Sequence, residues 1–374
     1  MCYRMSGLVK RYLLSAFVFK SAIIGGGYTT GRELVEFFLS KGPLAGLLGI
    51  LVSAAAFSVV LVIVFELSRR FQLYDYRTFL KKLLGPGWVL YEFFFLILLV
   101  LILSVLGAAS GEIVEKWSGL PPLVGTALQM VLVAAVIFYG TRAIERFFAA
   151  WFIILYAAFV VFFVWSAMVL GPDIQSRWHA SESAHGALSS GVLYAGYSMA
   201  VIPTILYCAR HFQRTADAVV SGILAGPLAM IPAILFFMAL ISRYPEVNEQ
   251  HVPILYMLGE LRAPVFSLVF QGVIFGTLVE AGVALIHGFN ERLADAVHET
   301  GRNMSRTSRA IVAITLMSVS TLLADKVGIV NLIAKGYGYS TYAFLLLIAV
   351  PVVTRGLWLI LREPVDVGRS AQTV

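Results

Sequence analysis

The stretch Lys20-Ser-Ala-Ile-Ile-Gly-Gly-Gly-Tyr-Thr-Thr-Gly-Arg-Glu-Leu-Val-Glu36 lies inside the first long apolar segment, yet it carries four glycines and four charged residues. Three consecutive glycines, Gly25, Gly26 and Gly27, are poor helix material, each about 1 kcal/mol worse than alanine in a helix interior. In hydrocarbon, unwound backbone is tolerated only where it is buried in protein or lines a cavity. Glycines that serve close helix packing recur at every fourth position, whereas these are consecutive and followed by charge. The stretch predicts a helix broken at mid-membrane, the backbone device by which secondary transporters present free N–H and C=O groups to a solute.

The remainder of the chain supplies the membrane. Of 374 residues, 59% are hydrophobic and only 13% charged, with a mean hydropathy of +0.86, far outside the soluble range. Ten apolar spans are expected at 12–39, 44–68, 88–112, 121–139, 146–170, 186–207, 218–241, 264–290, 308–324 and 328–361. Lys and Arg alternate across them. With a cytoplasmic N-terminus, 19 fall on inside segments and 7 on outside segments, while Lys20 and Arg32 lie within the first span. That asymmetry places both termini in the cytoplasm of a cytoplasmic-membrane protein. It also accounts for the net charge of +7 without nucleic acid. Cys2 and Cys208 are the two cysteines, so no disulfide framework is implied. The first segment lacks an Ala-x-Ala-like cleavage pattern and is read as a retained span.

A second interruption falls five spans later. Ser190-Gly-Val-Leu-Tyr-Ala-Gly-Tyr-Ser-Met-Ala-Val-Ile-Pro203 sets Gly191 and Gly196 in the middle of the sixth span. Corresponding positions of two halves are thus each interrupted by glycine, the pattern of an inverted repeat with its site at the repeat interface. The expectation is one membrane domain over 1–374, with a first repeat at 12–170, a second at 186–361 and a cytoplasmic tail at 362–374.

On Gly25-Gly-Gly-Tyr-Thr-Thr-Gly-Arg-Glu33, Gly191-Val-Leu-Tyr-Ala-Gly-Tyr197 and the ten-span layout, the chain resembles the amino acid-polyamine-organocation superfamily. More narrowly, it looks like the bacterial membrane proteins of the YkvI type. The resemblance implies an all-α, LeuT-type 5+5 inverted repeat with helices 1 and 6 broken. It also implies a substrate site at the breaks and a cation position flanked by the first and eighth helices.

The residues fill those roles as follows. Gly25, Gly26, Gly27, Tyr28, Thr29 and Thr30 at the first break, with Tyr194, Tyr197 and Ser198 at the second, are expected to bind substrate. The half-helix starting near Tyr28 would aim its N–H groups and positive dipole end at the cavity, favouring a carboxylate. Ser104, in a small polar stripe with Gly107 and Ser110, is expected to line the same cavity from the third span. Lys20 lies roughly 7–8 Å from the break, at a depth that Glu280 of the eighth span also reaches. A charge at that depth demands a partner, so Lys20 and Glu280 are expected to pair. With Thr277, they would stand at the resembling fold's cation position and carry proton coupling. Arg32, Glu33 and Glu36 form a candidate external gate, Arg32 and Glu36 being spaced i, i+4.

Enzyme readings find no support. His287 and His298 do not have the H-E-x-x-H spacing, and Gly196-Tyr-Ser-Met-Ala200 lacks the strand-to-helix setting of a nucleophile elbow. No Walker A or dinucleotide motif occurs, and no metal or cofactor is expected. The expected function is secondary transport of a small organic solute, an amino acid or related amine or carboxylate, by a monomer or homodimer in the lipid bilayer. Coupling is to protons or absent. The competing readings are a sodium-coupled symporter, and a channel or membrane-embedded sensor on the same fold. A channel calls for a repeated pore-lining polar ring, whereas two broken helices point to alternating access.

Overall fold

The computed structural model describes residues 12–178, 183–261, 263–298, 301 and 303–362. The expected tail, apart from Arg362, and Cys2 lie outside them. Among the described residues nine helices are long and apolar enough to cross a membrane. The first span makes ten, because its breaks divide it into Leu14–Ile23, Gly26–Thr29 and Arg32–Phe37. The other spans are Pro43–Phe71, Trp88–Ser118, Pro122–Tyr139, Thr141–Trp178, Ala187–His211, Thr215–Ile241, Pro264–His298, Arg306–Val327 and a tenth over 329–362. Gly119, at φ 69, ends the third span in a left-handed conformation, and Pro122 opens the fourth three residues later. This is the Gly-stop, Pro-start asymmetry expected of abutting helices.

Lipid gives two helices no hydrophobic reason to associate, so close packing by small residues takes over. The second and seventh spans meet where Gly222 faces the Val62 backbone and Gly226 faces Ala54 and Ser58. Ser58 Oγ donates to the Ile223 carbonyl at 2.9 Å. The second and sixth spans meet at Gly49 and Gly191, where Ser53 Oγ donates to the Gly191 carbonyl at 2.9 Å. The stripe of the third span is a seam of the same kind. Thr126 Oγ1 donates to the Gly107 carbonyl at 2.8 Å, and Gly125 sits against Ser110 and Gly111. Exposed Val160, Val164 and Met168 of the fifth span, and Ile311 and Leu322 of the ninth, belong to the apolar outer surface. The chain is a multi-pass membrane protein.

The charges sort to the two ends of the bundle. At the basic end, Arg69 pairs with Glu66 at 2.6 Å, Arg210 lies over Tyr74 and Arg292 over Tyr76. At the opposite end, Arg177 pairs with Glu246 at 3.0 Å and Arg243 with Glu260 at 2.8 Å. Two short helices cap these ends, both in stretches that the sequence reading left as connections. Tyr76–Leu84 starts at Asp75, whose side chain accepts from Thr78 N at 2.9 Å, and buries Phe79, Leu80 and Leu83. Pro253–Glu260, between the seventh and eighth spans, buries Ile254, Leu255, Met257 and Leu258. The tenth span is irregular beyond its start, with π-helical turns at Leu332–Tyr337, Leu345–Ala349 and Val352–Gly356.

Candidate functional site

Helix Leu14–Ile23 ends as Ile24 leaves helical geometry (ψ 81°) and Gly25 N bonds back to the Ile23 carbonyl at 2.9 Å. Gly26 and Gly27 then open a single turn that ends at Thr29, whose Oγ1 donates to the Gly25 carbonyl at 3.1 Å. A second break follows at once. Gly31 has φ +81°, and a Cβ there would lie 3.1 Å from Phe236 and 3.3 Å from Pro253. Only glycine meets both the left-handed backbone and the close neighbours without strain. The half-helix expected from Tyr28 onward is therefore split in two, and its pieces are too short to hold the dipole that would attract a carboxylate.

The sixth span breaks differently. It is α-helical from Ala187 to Ser198, then tightens into a 3-10 helix over Met199–His211 that contains Pro203. Tyr194, Tyr197 and Ser198 occupy the last turns of regular helix, just before the change. Tyr91 of the third span donates its hydroxyl to the Ala200 carbonyl at 2.7 Å within the tightened segment.

A hydrogen bond joins the two interrupted spans. Tyr197 Oη donates to Glu33 Oε2 at 2.6 Å, both residues being buried. The Tyr197 ring is stacked on Tyr337 at 4.9 Å and on Phe37 at 5.7 Å. Tyr194 packs edge-on against Phe37 and tilted against Phe38. Glu33, read in the sequence as a gate residue, thus belongs with the residues read as binding substrate.

A cavity of about 410 Å³ begins at Gly25, Glu33, Tyr197 and Ser198 and runs between the third, sixth and eighth spans to Asp75, Glu291 and Arg292 at the basic end. The opposite end is sealed. Arg32 Nη1 donates to the carbonyls of Asn248 and Gln250 at 2.7 and 3.0 Å, and Nη2 pairs with Glu36 at 2.6 Å. Ile254 N donates to the Thr30 carbonyl at 3.0 Å, which pins the loop helix over the first span. The expected Arg32–Glu36 pair is formed, and it holds a loop as well.

Other expected positions fall elsewhere. Lys20 and Glu280 are not paired with each other. Lys20 and Tyr28 line a separate cavity of about 290 Å³ with Phe159 and Phe236 of the fifth and seventh spans, while Glu280 is half-buried on the eighth. Thr277 Oγ1 donates to the Val273 carbonyl at 2.8 Å and accepts from Trp151 Nε1 at 3.0 Å, joining the eighth span to the fifth. Ser104 does not line the main cavity; its Oγ donates to the Val100 carbonyl at 2.7 Å.

Arg292 was visible in the sequence only as a loop charge. It pairs with Glu92 at 3.2 Å and lies 4.1 Å from the centre of the Phe95 ring, with which it lines the cavity. Nothing in the sequence signals that contact, because Phe95 is one aromatic among the chain's 26 phenylalanines.

No family model matches the chain. It is 22% identical over 337 residues to the uncharacterized membrane protein YkvI of Bacillus subtilis (strain 168), covering 88% of this chain and 93% of that protein. Its structure is similar to the inward-facing conformation of Mhp1, with a TM-score of 0.63 at 14% identity over 94% of this chain and 78% of that one. It is also similar to MhsT in complex with L-phenylalanine, with a TM-score of 0.58 at 17% identity over 92% of this chain and 86% of that one. With its ten spans and its breaks in the first and sixth, the chain has the LeuT-type fold and is similar in sequence to YkvI across most of both chains.

Proposed function

We propose that the protein is a secondary transporter that carries a small organic solute across the cytoplasmic membrane by alternating access. One observation carries the reading: a single cavity reaches from both helix breaks to one end of the bundle, while Arg32 and the loop helix close the other. The basic end is cytoplasmic by the charge asymmetry of the loops, so the structure is the inward-open state and both termini are cytoplasmic. The inward-facing Mhp1 structure among its neighbours agrees with that assignment. The solute sits among Gly25, Glu33, Tyr197 and Ser198. MhsT holds L-phenylalanine, which supports an amino acid or a related amine as the starting panel. Protons are the coupling ion or coupling is absent, and Glu33 is a better placed proton carrier than the Lys20–Glu280 pair.

The reading is tested by reconstituting the purified protein into liposomes and measuring counterflow of radiolabelled amino acids and amines. Saturable exchange of one solute, abolished by substitutions at Tyr197, is the expected result. A saturable ion current with no solute exchange would establish a channel instead.

A further inference from the structure

The cavity of about 290 Å³ that Lys20 and Tyr28 line is separate from the one between the helix breaks, and the two share Ile24 alone. It is walled by the first, fifth and seventh spans. Phe17, Val160, Ile231 and Leu235 line it and are also exposed on the apolar outer surface. Val160 and Ile231 lie near the middle of their helices, Thr141–Trp178 and Thr215–Ile241. The cavity therefore opens sideways onto hydrocarbon, and what enters it comes out of the bilayer.

Its polar groups are few and of one kind. Every lining side chain is apolar except those of Lys20 and Tyr28. Both are buried, at 6% and 1% exposure. The Tyr28 hydroxyl has no hydrogen-bond partner within the protein, and a buried donor left unbonded is destabilising. A lysine ammonium carries three donors, so a bond to the protein leaves others to meet a ligand. An ammonium and a hydroxyl are both answered by a negatively charged acceptor. The apolar walls call for an apolar body on the same molecule. The volume stands at the low end of the roughly 300–1,000 Å³ usual for ligand sites, which suits one short chain and leaves no room for a two-chain phospholipid.

We infer that this cavity is a second binding site, for an apolar monocarboxylic acid drawn from the bilayer. Its carboxylate sits on Lys20 and the Tyr28 hydroxyl, and its chain fills the space between the fifth and seventh spans. The site is independent of what the main cavity carries.

Photolabelling of the full-length protein in lipid nanodiscs, with decanoic acid bearing a terminal diazirine, tests this. Labelled peptides are located by mass spectrometry, and the half-saturating concentration is measured. Label is expected within 155–163 and 228–236, with unlabelled decanoic acid competing and decanol and decylamine not competing. Lys20→Met is expected to raise the half-saturating concentration about 30-fold or more, the loss typical of removing one partner from a buried charge pair. Tyr28→Phe should raise it about tenfold, the loss of one hydrogen bond to a charged group. Lys20→Arg keeps the charge and should retain part of the affinity. Competition by decanol as strong as that by decanoic acid overturns the inference, as does label spread over the outer surface or an unchanged half-saturating concentration in Lys20→Met or Tyr28→Phe. The competition on the wild-type protein decides the matter where a variant fails to fold.

Discussion

Tyr197 gives its phenolic hydrogen to a carboxylate that is out of water, so the two side chains stabilise each other's burial. Removing the donor leaves Glu33 Oε2 without its hydrogen bond, at a cost typical of a bond to a charged group. Tyr197→Phe is expected to lower folding stability by about 2 kcal/mol, read as a lower melting temperature in detergent. Because the two groups act together, Tyr197→Phe should cost much less in a Glu33→Gln background, and a double-mutant cycle measures the difference. Both residues stood out in the sequence, Tyr197 by its place at a break and Glu33 by its charge. Their partnership did not, because a break resets the helical phase and with it the direction of every later side chain. Lys20 and Glu280 show the complementary failure. Counting residues along each span does not tell which neighbours a helix face meets.

At the scale of elements, the first span acts as hinge and latch together. Gly31 supplies the left-handed turn between the two short helical pieces. Gly31→Ala should destabilise the protein by about 1–2 kcal/mol from backbone conformation alone, with more from contact with Phe236 and Pro253. Chemical denaturation in detergent checks this. Arg32 is the latch. Arg32→Ala removes its two loop carbonyl bonds and the Glu36 pair, so a cysteine placed at Gln250 should react faster with a thiol reagent than in the parent protein. Unchanged reactivity would show that the loop helix is held by apolar packing alone. The triple glycine announced the first break within a residue or two. The sixth-span break was placed over Tyr194–Ser198, but the helix stays regular to Ser198 and tightens after it. Gly191 and Gly196 are explained by close neighbours, the first by Gly49 and Val52 and the second by Thr341 and Leu345. Consecutive glycines marked a break, but an isolated glycine that packs looks the same in the sequence as one that breaks a helix.

Across the whole molecule, small-residue seams fix how the spans pack, and the cavity is the space that those seams leave. The second and seventh spans form the tightest of the contacts described. Gly226→Val should overpack it against Ala54 and Ser58 and cost about 1–3 kcal/mol or more, measurable as loss of monodisperse protein on mild heating. Span number and order were legible because hydropathy records the bilayer directly. Which end of the site is open was not legible, since it depends on how the ten helices are tilted against each other.

The central claim is that the site opens to the cytoplasm in the state described, and alkylation of a cysteine at Ala284 tests it most directly. Ala284 lines the cavity and is exposed within it. In a background with Cys2 and Cys208 replaced by serine, a membrane-impermeant maleimide should modify Ala284→Cys rapidly in inside-out vesicles and slowly in intact cells. Addition of a transported solute should alter both rates. Rapid modification from the outside in intact cells, with protection in inside-out vesicles, would contradict the account.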